Sequence, residues 1–152
     1  YIEDKDKTTD AVKFYHELND KVLLLKLVPG MDGSILNRLF PFYDAVIIEA
    51  FGVGGFPEYG AEPFHPEIRR WVDAGKIVML ATQVTHEGSD MEIYQVGKKM
   101  KEKFHLLEAY DMTLEATVTK TMWAMGETKD IAEFRELFYH TINHDILLTP
   151  EE

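Results

Sequence analysis

Apolar residues in this chain follow two rhythms. Three compact runs, VLLLKLV (22–28), AVIIEAF (45–51) and KIVMLAT (76–82), are rich in branched side chains and bounded by turn formers. That is the pattern of strands buried on both faces of a parallel sheet. Between and after them the apolar positions recur every three or four residues, which predicts helices. The first carries Ile35, Leu36 and Leu39, the second Phe64, Ile68, Trp71 and Val72, and the third Met91, Tyr94 and Met100. Leu114, Val118, Met122 and Met125 make a fourth, and Ile131, Phe134, Leu137 and Phe138 a fifth. A short fourth strand is expected near Leu106 and Leu107.

Punctuation supports these divisions. Pro29-Gly30 breaks the first strand, Asp32 or Ser34 can cap the first helix, and Pro41 stops it. Pro66 suits a first helical turn and Gly75 the left-handed residue past a helix end. The third helix is expected to begin near Asp90 and the fourth near Asp111 or Thr113, where capping is the plainest use of those side chains and Glu115 suits the helix dipole. The order βαβαβα followed by helices predicts an α/β fold. It is a three-layer α/β/α domain with a small parallel sheet of about four strands, flavodoxin-like or Rossmann-like, with helices on both faces. Ligand sites in such sheets lie at the carboxyl ends of the strands. Three loops fall there: PGMDG, FGVGGFP and TQVTHEGSD.

Length and charge narrow the classes of function. A chain of 152 residues with 45% hydrophobic content forms one domain, able to bury roughly 70% of its unfolded surface. A formal net charge of -11 opposes contact with phosphate backbones. The one basic run, Lys98, Lys99, Lys101 and Lys103, is interleaved with Glu102 and followed by Glu108, as on a solvated helix face. Nucleic acid is not an expected partner. No apolar run approaches the roughly 18 residues of a membrane span, since even Val22 to Val28 is interrupted by Lys26. No membrane partner is expected either. There is no cysteine, so thiolate metal sites and disulfides are excluded, and a reducing cytoplasm fits. The opening stretch YIEDKDKTTDAVK is polar and reads as a connector within something larger.

The glycine loop invites comparison with nucleotide cradles, and fails it. Gly52-Val53-Gly54-Gly55 lacks the third glycine of a dinucleotide fingerprint, which would fall at Pro57, and no Walker lysine follows. No cofactor is expected. A turn demanding positive φ accounts for one or two of these glycines. Three, flanked by Phe51 and Phe56, point to close approach by another backbone or a ligand. His86-Glu87 begins like a zinc-binding HExxH, but position 90 is Asp, and the remaining histidines show no repeated ligand spacing, so no metal is expected. Spacing alone assembles no nucleophile, base and oxyanion donors.

Longer blocks carry more. The order LLLKLVPGMDGSIL, VIIEAFGVGGFP, VDAGKIVMLATQVTHEGSDMEIYQVGKKM and YDMTLEATVTKTMWAMGET resembles the carboxyl-terminal domain of cytoplasmic (type I) L-asparaginases, from about Lys21 to Ile146. The resemblance implies an interdomain connector over 1–20 and the asparaginase second domain over 21–152, without the first domain. In that family a threonine nucleophile and its Asp and Lys partners lie in the first domain, in motifs of the TGGT and GTDT type that do not occur here. The fragment alone is then expected to be inactive, and its partners to be the first domain, further copies in a dimer or tetramer, and a small amide substrate. The resemblance implies that Gly54, Gly55 and Phe56 border the substrate pocket of another subunit, and that Thr82, Gln83 and His86 meet a neighbour or, as exposed loop residues, only water.

Two departures qualify it. Many relatives have Asn where this chain has Gly55, so any side-chain contact from there is lost. Some bacterial members bind an effector asparagine near an Arg and a Cys, at positions held here by Glu49 and Val84, so that allosteric site is expected to be absent or much altered. An amidotransferase component acting on glutamine for tRNA amidation, whose second domain is similar, and a non-catalytic dimerisation module are the alternatives. Loss of the first domain should bare an apolar surface, for which Phe14, Tyr15 and Phe42 are the candidates.

Overall fold

The computed structural model describes residues 12–52, 54–57, 62–84, 89, 104 and 106–148. Four parallel strands form one sheet in sequential order: β1 Val22–Lys26, β2 Ala45–Ala50, β3 Ile77–Thr82 and β4 Leu107–Glu108. Helices α1 Ser34–Leu39 and α2 Phe64–Asp73 join the first three strands, while α3 Leu114–Glu127 and α4 Ile131–Tyr139 follow β4. The four expected strands are all present. The helix expected around Met91, Tyr94 and Met100 lies outside the described residues.

The register aligns Leu24, Ile47, Met79 and Leu107 across the sheet. Every residue of β2 is buried, as a central parallel strand requires, whereas the edge strand β1 leaves Leu24 and Lys26 exposed. Right-handed crossovers that all step the same way along a sheet deliver their helices to one face. Leu36 of α1 and Phe64, Ile68 and Trp71 of α2 accordingly pack on Leu25, Val46, Ile48, Val78 and Leu80. The chain then returns, and Ala124, Met125, Phe134 and Phe138 cover the opposite face against Val22, Ile47, Met79 and Leu107.

Local chemistry fixes the ends of these elements. Asp32 accepts hydrogen bonds from the Ser34 N–H (3.0 Å) and hydroxyl (2.6 Å), a turn just before α1 rather than a cap on it. Gly33 has no room for a side chain, since a Cβ there would sit 2.4 Å from the Pro63 carbonyl oxygen. Gly75 ends α2 at φ +73. Thr113, not Asp111, caps α3 by accepting from the Ala116 N–H at 3.2 Å, and Asp130 caps α4.

Helix α3 departs from the expected stripe. Met125 is buried, but Leu114, Val118 and Met122 are only half-buried, and the ridge facing the sheet is Thr117, Lys120, Thr121 and Ala124. The threonines fit because each hydroxyl turns back onto its own helix, Thr117 to the Thr113 carbonyl (2.8 Å) and Thr121 to the Thr117 carbonyl (2.7 Å), leaving a methyl for the core. Lys120 fits because it is paired. Its Nζ donates to the His140 carbonyl (2.6 Å) and reaches Asp145 Oδ2 (2.8 Å), which ties the chain after α4 to α3.

The outer edge of β4 is closed by a side chain. The Tyr139 hydroxyl accepts from the Glu108 N–H and donates to the Glu108 carbonyl, both at 3.0 Å, in place of a neighbouring strand. Burial is the main reason the phenol is pushed up well past its ordinary pKa of 10.0.

Candidate functional site

The carboxyl ends of β1, β2 and β3 are held together by one amide. Gln83 donates from Nε2 to the Leu27 carbonyl (2.7 Å) and the Glu49 carbonyl (3.1 Å), and its own N–H donates to Ala50 (3.2 Å). Thr82 donates its hydroxyl to the Gly52 carbonyl and accepts from the Val84 N–H at 2.9 Å. These bonds pin the loop after β3 against the loop after β2.

The glycine loop folds back as a tight turn. Phe51 and Gly55 form an antiparallel bridge in which the Phe51 N–H donates to Gly55 O (2.9 Å) and the Gly55 N–H to Phe51 O (2.7 Å). Gly52 takes φ +51 and Gly54 φ +149, so the turn itself calls for glycine at both. Among the glycines described, a Cβ would meet backbone at 2.4 Å at Gly33 and Gly126, and at Gly55 it would lie 3.2 Å from the Phe51 carbonyl oxygen. Phe56 is buried and tilts against Phe64 at 5.9 Å, on the α1–α2 face of the sheet.

On the opposite face a cleft of about 430 Å³ opens between the carboxyl ends of β2 and β3 and the first turn of α3. Glu49, Thr82, Gln83 and Val84 line one side, and Tyr110, Asp111 and Thr113 the other. Glu49 is buried at its floor, its Oε1 2.7 Å from Lys26 Nζ. Asp111 accepts the backbone N–H groups of Leu147 (3.1 Å) and Leu148 (2.9 Å) and so holds the tail along the rim. The structure thus brings together four of the residues singled out in the sequence, Glu49, Thr82, Gln83 and Val84. Gly54, Gly55 and Phe56 do not line this cleft. His86 lies outside the described residues.

The geometry of the described residues holds and shapes the strand ends. Among the described residues the hydroxyls nearest the cleft are committed to backbone partners, Thr82 to Gly52 and Val84, and Thr113 to its cap. Among these described threonines no hydroxyl is hydrogen-bonded to a side-chain base. Sequence reasoning passed over Lys120, Asp145, Tyr139 and Trp123. A lysine within an apolar helical pattern was the available signal for the first, but its partner lies beyond α4 and has no local spacing.

Among the described residues no helix is long and apolar enough to cross a membrane. Comparison with known proteins adds what the geometry alone does not. The sequence model of the Glutaminase/Asparaginase C-terminal domain family matches residues 21–138. An L-asparaginase of Thermococcus kodakarensis is 34% identical over 133 residues, 88% of this chain and 40% of the relative. A component of the glutamyl-tRNA(Gln) amidotransferase of Pyrococcus furiosus is 30% identical over 122 residues, 80% of this chain and 27% of that protein. The solved structure of the thermostable L-asparaginase from Thermococcus kodakarensis superposes with a TM-score of 0.78 at 32% identity, covering 88% of this chain and 40% of the other. L-asparaginase I from Vibrio cholerae gives 0.80 at 19% identity, covering 94% and 42%, and shares the fold. The chain therefore spans about 40% of the length of the asparaginases it matches.

Proposed function

Because the chain belongs to the glutaminase/asparaginase C-terminal domain family, we propose that it is the second domain of an L-asparaginase, an amidohydrolase that converts asparagine to aspartate and ammonia. The observation that carries this is the match to an L-asparaginase along most of the chain, in both sequence and fold. The threonine nucleophile belongs to an amino-terminal domain, with residues 1–20 as the connection. The second domain supplies a rigid wall. On this reading Gly54, Gly55 and Phe56 border a substrate pocket completed by another subunit of a dimer or tetramer, and the turn at Gly52 and Gly54 lets bare backbone reach that border. Resemblance to the cytoplasmic asparaginases supports a cytoplasmic location.

The cleft at Glu49, Thr82, Gln83 and Val84 belongs to the subunit interface or to an altered effector region, a role for which His86, outside the described residues, is also a candidate. A buried acid paired with Lys26 suits no free carboxylate, so an amino-acid effector is not held there in the usual orientation. The amidotransferase relatives favour a second reading, in which the parent protein releases ammonia from glutamine for tRNA amidation.

Ammonia release is the test, measured with asparagine and with glutamine, for this 152-residue chain and for the full parent protein. The parent should act on asparagine and the chain alone on neither amide. Turnover by the chain alone would place a nucleophile among these residues and overturn the proposal. A parent active on glutamine only, and dependent on a tRNA-binding partner, would establish the second reading.

A further inference from the structure

Residues 12–20 form no regular element, yet they are not loose chain. The Asn19 N–H donates to the Met122 carbonyl of α3 at 3.0 Å, and the Asn19 side chain bridges to Asp44 Oδ2 at 3.3 Å and accepts the Lys21 N–H at 2.9 Å. Tyr15 meets Trp123 edge-on with ring centres 5.2 Å apart. At Gly126 the helix surface is bare, and the Glu17 carbonyl fills the place a Cβ would take. The segment is a strap laid across the outer side of α3.

An extended strap has two faces, with alternate residues on each. Tyr15 and Asn19 face α3. Phe14 and His16 stack their rings on the other side, 6.5 Å apart and 14° from parallel, and Val12 and Leu18 continue the row. Val12, Phe14 and Leu18 are 78%, 74% and 69% exposed. The strap thus presents three large apolar side chains outward from a backbone fixed against a helix.

We propose that this outward row is the seat of the amino-terminal domain of the parent protein. The proposal rests on the reading of the chain as a second domain. The strap immediately precedes the family-matched region that starts at residue 21, and the asparaginases matched here carry about 60% of their length outside the shared part. The polypeptide linking the two parts is the one surface that must lie beside both. A connector that is itself docked, with its apolar row turned away from the domain it follows, fits a three-layer seam of first domain, strap and α3. Ordering the strap on α3 before association also lowers the entropy lost when the domains meet.

The test replaces the row without touching the face that holds α3. Val12→Ser, Phe14→Ser and Leu18→Ser are combined, once in the 152-residue chain and once in the full parent protein. In the chain alone the thermal midpoint should stay unchanged, and binding of an apolar dye should drop at least twofold. In the parent the same changes should lower the midpoint by about 3 °C or more. A photo-crosslinking benzoylphenylalanine in place of Phe14 in the parent should join to the amino-terminal domain of the same chain, and one in place of Tyr15 to α3. A Phe14 adduct with a second copy, or an unchanged midpoint in the parent, overturns the seat while leaving the second-domain reading standing. A parent without asparagine-dependent ammonia release overturns the asparaginase reading itself.

Discussion

Gly126→Ala tests the strap from the helix side. Within a helix, alanine is favoured over glycine by about 1 kcal/mol, so on propensity alone the change should stabilise α3. The strap reverses the sign. The added Cβ would lie 2.4 Å from the Glu17 carbonyl oxygen, 2.6 Å from its carbon and 3.0 Å from Leu18 Cα, where ordinary contact begins near 3.4 Å. The strap backbone must therefore retreat by about 1 Å, which exceeds what the 3.0 Å bond from Asn19 to Met122 tolerates. Overpacking of this kind costs about 1–3 kcal/mol when the neighbour cannot yield. The strap can yield, by peeling off, so the expected outcome is local. Global stability should hold or fall by no more than about 1 kcal/mol, because the sheet and both cores keep their packing. Exchange of the Asn19 amide should accelerate at least tenfold, and Trp123 emission should shift as the Tyr15 ring leaves it. Unchanged Asn19 protection together with unchanged Trp123 emission would refute the account of the strap as a docked element.

Further outcomes follow from single contacts. Tyr139→Phe strips both bonds from the Glu108 backbone and should cost about 1–3 kcal/mol in urea unfolding. In the wild type the raised phenol pKa contributes stability that is present below about pH 10 and lost as pH rises past it, so the variant should also show a shallower alkaline decline. Lys120→Met abandons Asp145 and the His140 carbonyl and should cost about 2–3 kcal/mol, below the full penalty for a buried pair because Asp145 is part exposed. Adding Asp145→Asn should recover part of it, with double-mutant unfolding as the measure. Gly54→Ala forces a side chain onto φ +149 and should lower stability by about 1–3 kcal/mol, more than Gly52→Ala, whose φ of +51 lies in the common left-handed region with open space around it. Burial pushes the Asp44 carboxyl up, but the Asn19 hydrogen bond and the charges of Lys76 and Lys21 outweigh it and hold its pKa below the ordinary 3.8. That contribution is present above about pH 4 and lost as pH falls through the lowered pKa, so acid should loosen Asn19 before the sheet, and Asp44→Asn should remove the difference.

The elements were legible because their signals are local. A run such as AVIIEAF can be read without knowing its neighbours, and Thr113 and Gly75 act within a turn of their own positions. The buried face of α3 was not legible, because Thr117 and Thr121 count as polar until their hydroxyls are seen bonded to their own helix. Lys120 depends on Asp145, which lies beyond the next helix, and Gly126 on Glu17, which precedes the whole sheet. Of the candidate site, the strand ends were the part that the sequence pattern singled out. It did not reveal that Phe56 packs on the α1–α2 face of the sheet while the cleft at Glu49, Thr82, Gln83 and Val84 opens on the other.

In open α/β sheets a ligand crevice forms where the strand order reverses, since loops on either side of the reversal part to opposite faces. Here the four strands run in sequential order, and among the described residues no reversal occurs. Among the described residues the cleft at this edge opens between the strand ends and the first turn of α3 rather than between loops that part at a reversal. Gln83 locks the ends of β1, β2 and β3 into one rigid rim, and the glycine turn is shaped by its own backbone bonds rather than by anything bound within the chain. A rim that is rigid yet lacks a nucleophile–base pair among its described hydroxyls is suited to closing a pocket whose reactive groups come from elsewhere. The proposal that another domain completes the pocket requires no reversal within this sheet.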